Sequence, residues 1–324
     1  MQFAWGYAAP IIIETAVKLR VFDCLADASR TVAEVGAEIG ASQRGLVALL
    51  DALVGFNLLA KEGDRYALTP ESAAFLVSSR PGYHGAFFAH ITDQLLPKWM
   101  QLEEVVRTGQ PAKVVNAEDH GAAFFEKFVE GLFPLSYRAA QVLAEDLKLA
   151  DAKAPLSVLD LAAGSGVWGI ALAQASPQVR VTAVDWPGVL PVTERVAKRF
   201  AVADRFSFSA GDLADADFGS GHRAATLGHI LHSEGVERSQ ALLRKTYAAL
   251  APGGTIAIAE FVPNDERTGP PHTLIFAVNM LVNTDKGDAF TFAQISSWLR
   301  DVGFVNIRQL EAPSPSPLIL ADKP

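Results

Sequence analysis

The chain has 324 residues, half of them hydrophobic and 20% charged, with a formal net charge of −8 and a single cysteine, Cys24. That length accommodates two domains of ordinary size. The acidic balance argues against a non-specific nucleic-acid binder, which needs a basic face, and one cysteine excludes both an intrachain disulfide and a cysteine-cluster metal site. No apolar run approaches the roughly 20 residues that span a bilayer, and the start lacks the basic, cleavable pattern of a signal peptide. The expected location is therefore the cytoplasm.

Residues 8–26 have helical spacing, with Ile12, Ala16 and Leu19 on one face. Thr31 followed by Glu34 is a capping box that opens a short helix ending at Gly40. Ser42 caps a second helix whose stripe is Leu46, Leu49, Leu50 and Leu53, and Gly55 ends it. Two short apolar segments, 58–60 and 66–68, flank a polar turn and read as a β-hairpin. Helix, turn, helix, hairpin is a winged-helix pattern over residues 1–80. One use of such a module is DNA recognition. Here the recognition-helix position holds one base, Arg44, and then mostly apolar residues, and Lys61 and Arg65 are offset by Glu62 and Asp64. Duplex binding needs more basic surface, so a dimerisation platform fits better.

Residues 81–150 read as a helical layer rich in aromatics, among them Phe87, Trp99, Phe128 and Phe133, able to form core or to wall an apolar pocket. After Pro155 the rhythm becomes strand–helix alternation. Strands are expected at 156–161, 180–185, 206–210, 224–231 and 254–262, then helices near 271–283 and 291–302, and strands near 304–310 and 317–322. This predicts an α/β fold, a doubly wound parallel sheet with a late hairpin, over residues 151–324.

The chemistry concentrates at the strand ends. Val158-Leu159-Asp160-Leu161 runs into the small-residue turn Ala162-Ala163-Gly164-Ser165-Gly166 and then a helix. Small residues let backbone approach a ligand, and the helix N-terminus offers unpaired N–H groups. An ordinary βα turn would look much the same. Asp185 ends the second strand, where an acid can accept hydrogen bonds from ribose hydroxyls, and Asp212 follows the third. Singly each is an ordinary loop acid; together they line one edge of one sheet. A dinucleotide fold competes, but the spacing of Gly164, Gly166 and Gly169 is not G-x-G-x-x-G. The fourth strand ends in His229-Ile230-Leu231-His232, with His232 placed where the strand runs out. An imidazole, with its ordinary pKa near 6.5, suits removal of a phenol-like proton. Glu260 and Asp288 are the acids available to support it, and each could equally be a cap or a surface group.

Together these segments resemble the small-molecule O-methyltransferases that use S-adenosylmethionine, of the caffeate, acetylserotonin and polyketide-tailoring type, over essentially the whole chain. The resemblance implies a class I methyltransferase Rossmann-like sheet preceded by a mainly α winged-helix dimerisation domain, hence a homodimer, and a hydroxylated aromatic acceptor. It places the cofactor loop on Asp160–Gly166, the ribose acid on Asp185, the adenine-side acid on Asp212, the general base on His232 and its flanking acids on Glu260 and Asp288. Further cofactor contacts are expected from Ala163, Gly164, Ser165, Trp186, Gly211, Leu213 and Gly228, and substrate contacts, from position, at Phe128, Phe276, Asn279, Met280 and Asn283. No metal, nucleic acid or membrane is implied.

The sequence departs from the family pattern at three points. Ala162 and Ala163 replace glycines, which the turn tolerates where neither needs positive φ. Ser233-Glu234 replaces the usual Asp-Trp, leaving Trp186 as a partial substitute near the adenine. Asp288 stands where many relatives have Glu. Methyl transfer to nitrogen or carbon, non-methylating S-adenosylmethionine chemistry on the same fold, and a winged-helix regulator remain as alternatives at this level.

Overall fold

A computed structural model describes residues 4–80, 82–112, 118–314 and 316–324, the side chains of 86, 89, 118–124, 126 and 127 excepted. The chain divides into two compact units, Met1–Pro97 and Lys98–Pro324, so the expected middle layer is shared between them.

The first unit runs α1 (Ala8–Lys18), α2 (Val21–Cys24), β1 (Arg30–Thr31), α3 (Val32–Ile39), α4 (Gln43–Gly55), β2 (Leu59–Glu62), β3 (Arg65–Leu68), α5 (Pro70–Phe75) and α6 (Gly85–His90), with α7 (Leu96–Trp99) at its end. The helix expected over 8–26 is two helices, because Arg20 adopts a left-handed backbone, φ 59°, and turns the chain so that Val21, Phe22 and Cys24 face the interior. The Thr31/Glu34 capping box forms, Gly40 closes α3 in the left-handed region, and Ser42 accepts the Gly45 N–H at the start of α4. Leu46, Leu50 and Leu53 of that helix are fully buried with Val35 and Tyr66, as the stripe requires.

The second unit runs α8 (Leu102–Thr108), α9 (Glu118–Asp146), β4 (Leu156–Leu161), α10 (Val167–Ala175), β5 (Val179–Asp185), α11 (Leu190–Arg199), β6 (Phe206–Ala210), β7 (His222–Gly228), α12 (Leu231–Ala249), β8 (Leu250–Ala259), α13 (Pro271–Asn283), α14 (Phe292–Val302), β9 (Val305–Leu310) and β10 (Leu318–Asp322). The strands form one seven-stranded sheet in the order β6-β5-β4-β7-β8-β10-β9, parallel except for β10, which runs antiparallel to both neighbours. The order reverses at β4, so the loop after β4 faces the crevice where such sheets bind ligands.

Strand alternation divides the interior. Val158, Val181 and Ala224 face α9, α10 and α11, while Leu159, Leu161, Val184 and Leu227 face α12 and α14. Asp160 shares the face of Val158, two residues away. Helix α10 is buried on every side from Val167 to Ala173, between the sheet and α9, which explains why its sequence carries almost no polar residue. Among the described residues no helix is long and apolar enough to cross a membrane.

Two expectations are corrected here. The fourth strand of the sheet does not reach Leu231: β7 stops at Gly228, His229 turns with φ 61°, and α12 begins at Leu231. His232 therefore stands in the first turn of a helix. An apolar run such as Leu227–Leu231 suits either element, and the carboxylate that receives the helix N-terminus decides between them. The other correction is at Ala162, whose φ is 51°. This alanine does occupy a left-handed position, which costs an L-residue roughly 1–2 kcal/mol. Ala162→Gly is expected to raise the unfolding free energy by about 1 kcal/mol, offset in part by the freer unfolded glycine; a denaturant titration of the two proteins checks it.

Candidate active site

The β4–α10 loop is held from three sides. Asp160 is fully buried. One of its oxygens accepts the Gly169 N–H of α10 at 2.9 Å and the other the Thr226 hydroxyl of β7 at 2.7 Å. It thus fastens the loop to the helix and to the neighbouring strand. Thr193 of α11 donates to the Gly164 carbonyl at 2.7 Å. Gly166 has φ 75°, and a Cβ there would lie 2.8 Å from the Thr193 methyl, so glycine is required on both counts. Gly164, φ 56°, donates its N–H to Asp185 at 2.8 Å, and the other Asp185 oxygen accepts the Trp186 N–H at 2.7 Å.

A cavity opens at these carboxyl ends, lined by Ala162 to Ser165, Asp185, Trp186, Gly211 to Leu213, and Gly228 to Ile230, with His232 beyond them. From α9, Phe125, Val129, Leu132 and Ser136 close its outer wall. A Cβ on Gly228 would collide with the indole nitrogen of Trp168, so that glycine lets the β7 end approach the Trp168 ring closely.

Burial sets the charge state of the two acids beneath the loop. Loss of solvent pushes Asp160 up to about 7 against its two hydrogen bonds, and pushes Asp185 up to about 6. Asp212 behaves oppositely. Burial works against its charge, but the Ala214 N–H and the Arg238 guanidinium, 2.9 Å away, outweigh it and hold the carboxyl below the usual range. Arg238 also binds the buried Glu234 at 2.5 Å, where burial raises the Glu234 carboxyl. Arg238 and Glu234 both line the cavity.

At the other end of the cavity Glu260, 2% exposed, joins β8 to α12. Its Oε2 accepts the Nδ1–H of His232 at 2.8 Å and its Oε1 accepts the His232 backbone N–H at 3.2 Å. Burial opposes the Glu260 charge, but the His232 imidazole outweighs it, with help from His229, and the carboxyl lies below its ordinary range. The carboxylate fixes the tautomer: Nδ1 carries the proton and Nε2 is left as an acceptor. Phe276 of α13 meets the His232 ring edge-on at 4.8 Å and packs on Phe261 at 4.1 Å.

These side chains make a small-residue loop, a pair of strand-end acids and an acid-supported histidine along one cleft. Residues 1–78 match the O-methyltransferase dimerisation domain and residues 99–305 the O-methyltransferase domain. The chain belongs to the O-methyltransferase family. It is 31% identical to the 3-hydroxy-5-methyl-1-naphthoate 3-O-methyltransferase of Streptomyces sahachiroi, over 94% of this chain and 88% of that one. It is 28% identical to the tetracenomycin polyketide synthesis 8-O-methyl transferase TcmO of Streptomyces glaucescens, over 100% and 96%. Human N-acetylserotonin methyltransferase, solved in complex with SAM, shares the fold with a TM-score of 0.85 at 24% identity, over 99% and 96% of the two chains. The protein is thus a methyltransferase dependent on S-adenosylmethionine. The cleft fits that donor: glycine backbone where close approach is needed, and carboxylates at the β5 and β6 ends.

Several residues expected at the site from sequence have protein partners of their own. Asp288 does not meet the His232 ring. Its carboxylate pairs with Arg267 at 2.9 Å, and only its backbone N–H reaches His232, at the carbonyl, 2.9 Å away. Gly287 allows that approach, since a Cβ there would strike the same carbonyl. Asn279 accepts the Trp99 indole N–H at 3.0 Å, and Asn283 accepts Lys98 at 2.9 Å and donates to Asn279. Met280 is buried. Asn279 and Asn283 thus tie α13 to α7, and Phe276 packs against His232. Phe128 packs against Phe125, 6.5 Å between centroids, with Phe125 on the cavity wall. Trp168, Thr193, Thr226, His229 and Arg238 were not expected; only spatial proximity reveals them.

Asp160 and Asp185 keep a native proton to higher pH than unfolded carboxylates near 4 do. Between about pH 4 and 7 the native state therefore binds more protons, and their contribution to stability falls as pH rises. Asp160→Asn is expected to flatten that fall. The melting-temperature difference, variant minus wild type, should increase by a few degrees from pH 5 to pH 8 in a thermal scan, and a constant difference would show no burial cost at Asp160.

Proposed function

We propose that this enzyme transfers a methyl group to a hydroxyl of an aromatic small molecule, with His232 as general base. The observation that carries this is the Glu260–His232 pair. The carboxylate holds the imidazole through Nδ1 and through the backbone beside it, so the neutral ring presents Nε2 as its acceptor. An acceptor hydroxyl at Nε2 gives its proton to that nitrogen, and the Glu260 charge stabilises the imidazolium as it forms. The Phe261 and Phe276 rings beside His232 favour a flat aromatic acceptor. The two polyketide- and naphthoate-modifying relatives agree with such a substrate.

Bound in the cleft, S-adenosylmethionine supplies an electrophilic methyl group. Asp185 is the residue to accept ribose hydroxyls, and Asp212 the adenine amino group. The loop from Ala162 to Gly166 offers its backbone. Trp186, on the cavity wall, is the residue to substitute in part for the family's missing tryptophan. Positioning supplies most of the acceleration and the base on the order of 10²–10⁴-fold. The dimerisation domain implies a homodimer, and sedimentation equilibrium should give twice the 34.6 kDa chain mass.

His232→Ala is expected to lower kcat on the order of 10²–10⁴-fold with affinity for S-adenosylhomocysteine unchanged within about twofold. Glu260→Gln should lower kcat on the order of 10²-fold, since the ring keeps a partner but loses the charge. Turnover of phenolic acceptors with labelled S-adenosylmethionine, read by which product gains the label, measures both. Full activity in His232→Ala would remove the base from the mechanism.

A further inference from the structure

His229 is not accounted for by the mechanism above. It holds a left-handed backbone, φ 61°, at the turn between β7 and α12, and its N–H donates to the Ala259 carbonyl at 2.9 Å. A non-glycine residue kept in that region at a ligand cavity is strain that the surrounding structure maintains. Its ring lines the cavity, 5.2 Å from Phe261 and 6.4 Å from His232 between centroids. Nδ1 is buried and finds no protein partner. Burial, the dominant cause, pulls the ring down to about 4, so it is neutral at working pH and carries one N–H. An orphaned buried N–H is rarer than an orphaned acceptor, which places the proton on Nε2, the nitrogen with surface to offer. Ligand-type atoms of His229, His232 and Glu260 lie within 4.8 Å of one another. Both Glu260 oxygens are already engaged by His232, so beside the His232 Nε2 acceptor the cluster offers the His229 donor.

We propose that His229 is a specificity-determining residue whose Nε2–H binds an oxygen of the acceptor adjacent to the reacting hydroxyl, so that the preferred substrates carry that hydroxyl beside a carbonyl or carboxylate. A ring nitrogen of His229 lies within 4.8 Å of one of His232, so oxygens that meet both rings belong close together on the acceptor and not at remote ring positions. Phe261 touches both histidines and forms the common wall. An acceptor with its second oxygen on a distant ring position leaves the His229 N–H unpaired, a penalty that discriminates strongly in a closed site. The inference rests on the hydroxyl-methylating reading of the same cleft.

The test uses 3-hydroxy-2-naphthoate, with hydroxyl and carboxylate adjacent, and 6-hydroxy-2-naphthoate, with them remote. The wild-type protein saturated with S-adenosylhomocysteine is expected to bind the adjacent isomer about tenfold more tightly by calorimetry, with a matching ratio in kcat/KM. His229→Leu should bring both ratios close to one, chiefly through KM, and His229→Gln, which keeps a donor, should retain part of the preference. Stabilisation of each variant by S-adenosylhomocysteine in a thermal scan confirms that it is folded. Should His229→Leu fail that check, His229→Gly, which suits the left-handed backbone and carries no side-chain donor, takes its place under the same criterion. Equal binding of the two isomers by wild type, or an unchanged ratio in a folded His229→Leu, overturns the proposal. Binding of S-adenosylhomocysteine with no methylation of either isomer would instead overturn the acceptor reading beneath it.

Discussion

The Glu260 carboxylate is the interaction on which the catalytic half of this molecule depends. It ends β8, receives the N-terminus of α12, and fixes the His232 ring, all with one buried charge. A carboxylate this deep costs several kcal/mol in lost hydration unless its lone pairs are met by donors. Here they are met by a ring N–H and by backbone N–H groups of His232 and Phe261. The same contacts that make the charge tolerable set the tautomer of the proposed base. Structure and chemistry are therefore one arrangement, and the loop around Gly287 closes on it from behind by holding the His232 carbonyl.

The cofactor half follows a parallel logic with a different acid. Asp160 is buried on the α10 face of the sheet and spends both oxygens on protein donors, so its part is to hold the loop in place. Asp185, one strand over, divides its oxygens between Gly164 and Trp186 at the cavity itself. The two carboxylates look alike in sequence, each closing an apolar strand. Both lie on the same face, and position along the strand separates them: Asp160 is level with Ala183 beneath α10, and Asp185 lies two residues further on, where the carboxyl edge of the sheet opens.

Much of this was legible in the chain. The capping boxes, the leucine stripe of α4, the strand–helix alternation and the small-residue turn are local signals, and the structure places their elements within a few residues of the expected bounds. The end of β7 was not legible. Leu227–Leu231 is apolar enough for a strand, and its turn into a helix depends on Glu260, 28 residues away from His232. The partner of Asp288 was not legible for the same kind of reason, since its pairing with Arg267 depends on a loop packing that no spacing encodes. The positive φ of Ala162 contradicts the preference of alanine and persists because Asp160, Thr193 and Asp185 hold the loop on three sides.

The sequence by itself determined the fold class, the family and the strand ends at which the cleft opens, because hydrophobic period, turn residues and strand-end acids are short-range properties of the chain. Only the tertiary structure decided which acid meets His232, which face Asp160 takes, that His232 belongs to a helix, and that His229 is left with a nitrogen to offer. Each of these depends on which groups from distant segments share a buried space, where a polar atom must find a partner or remain without one.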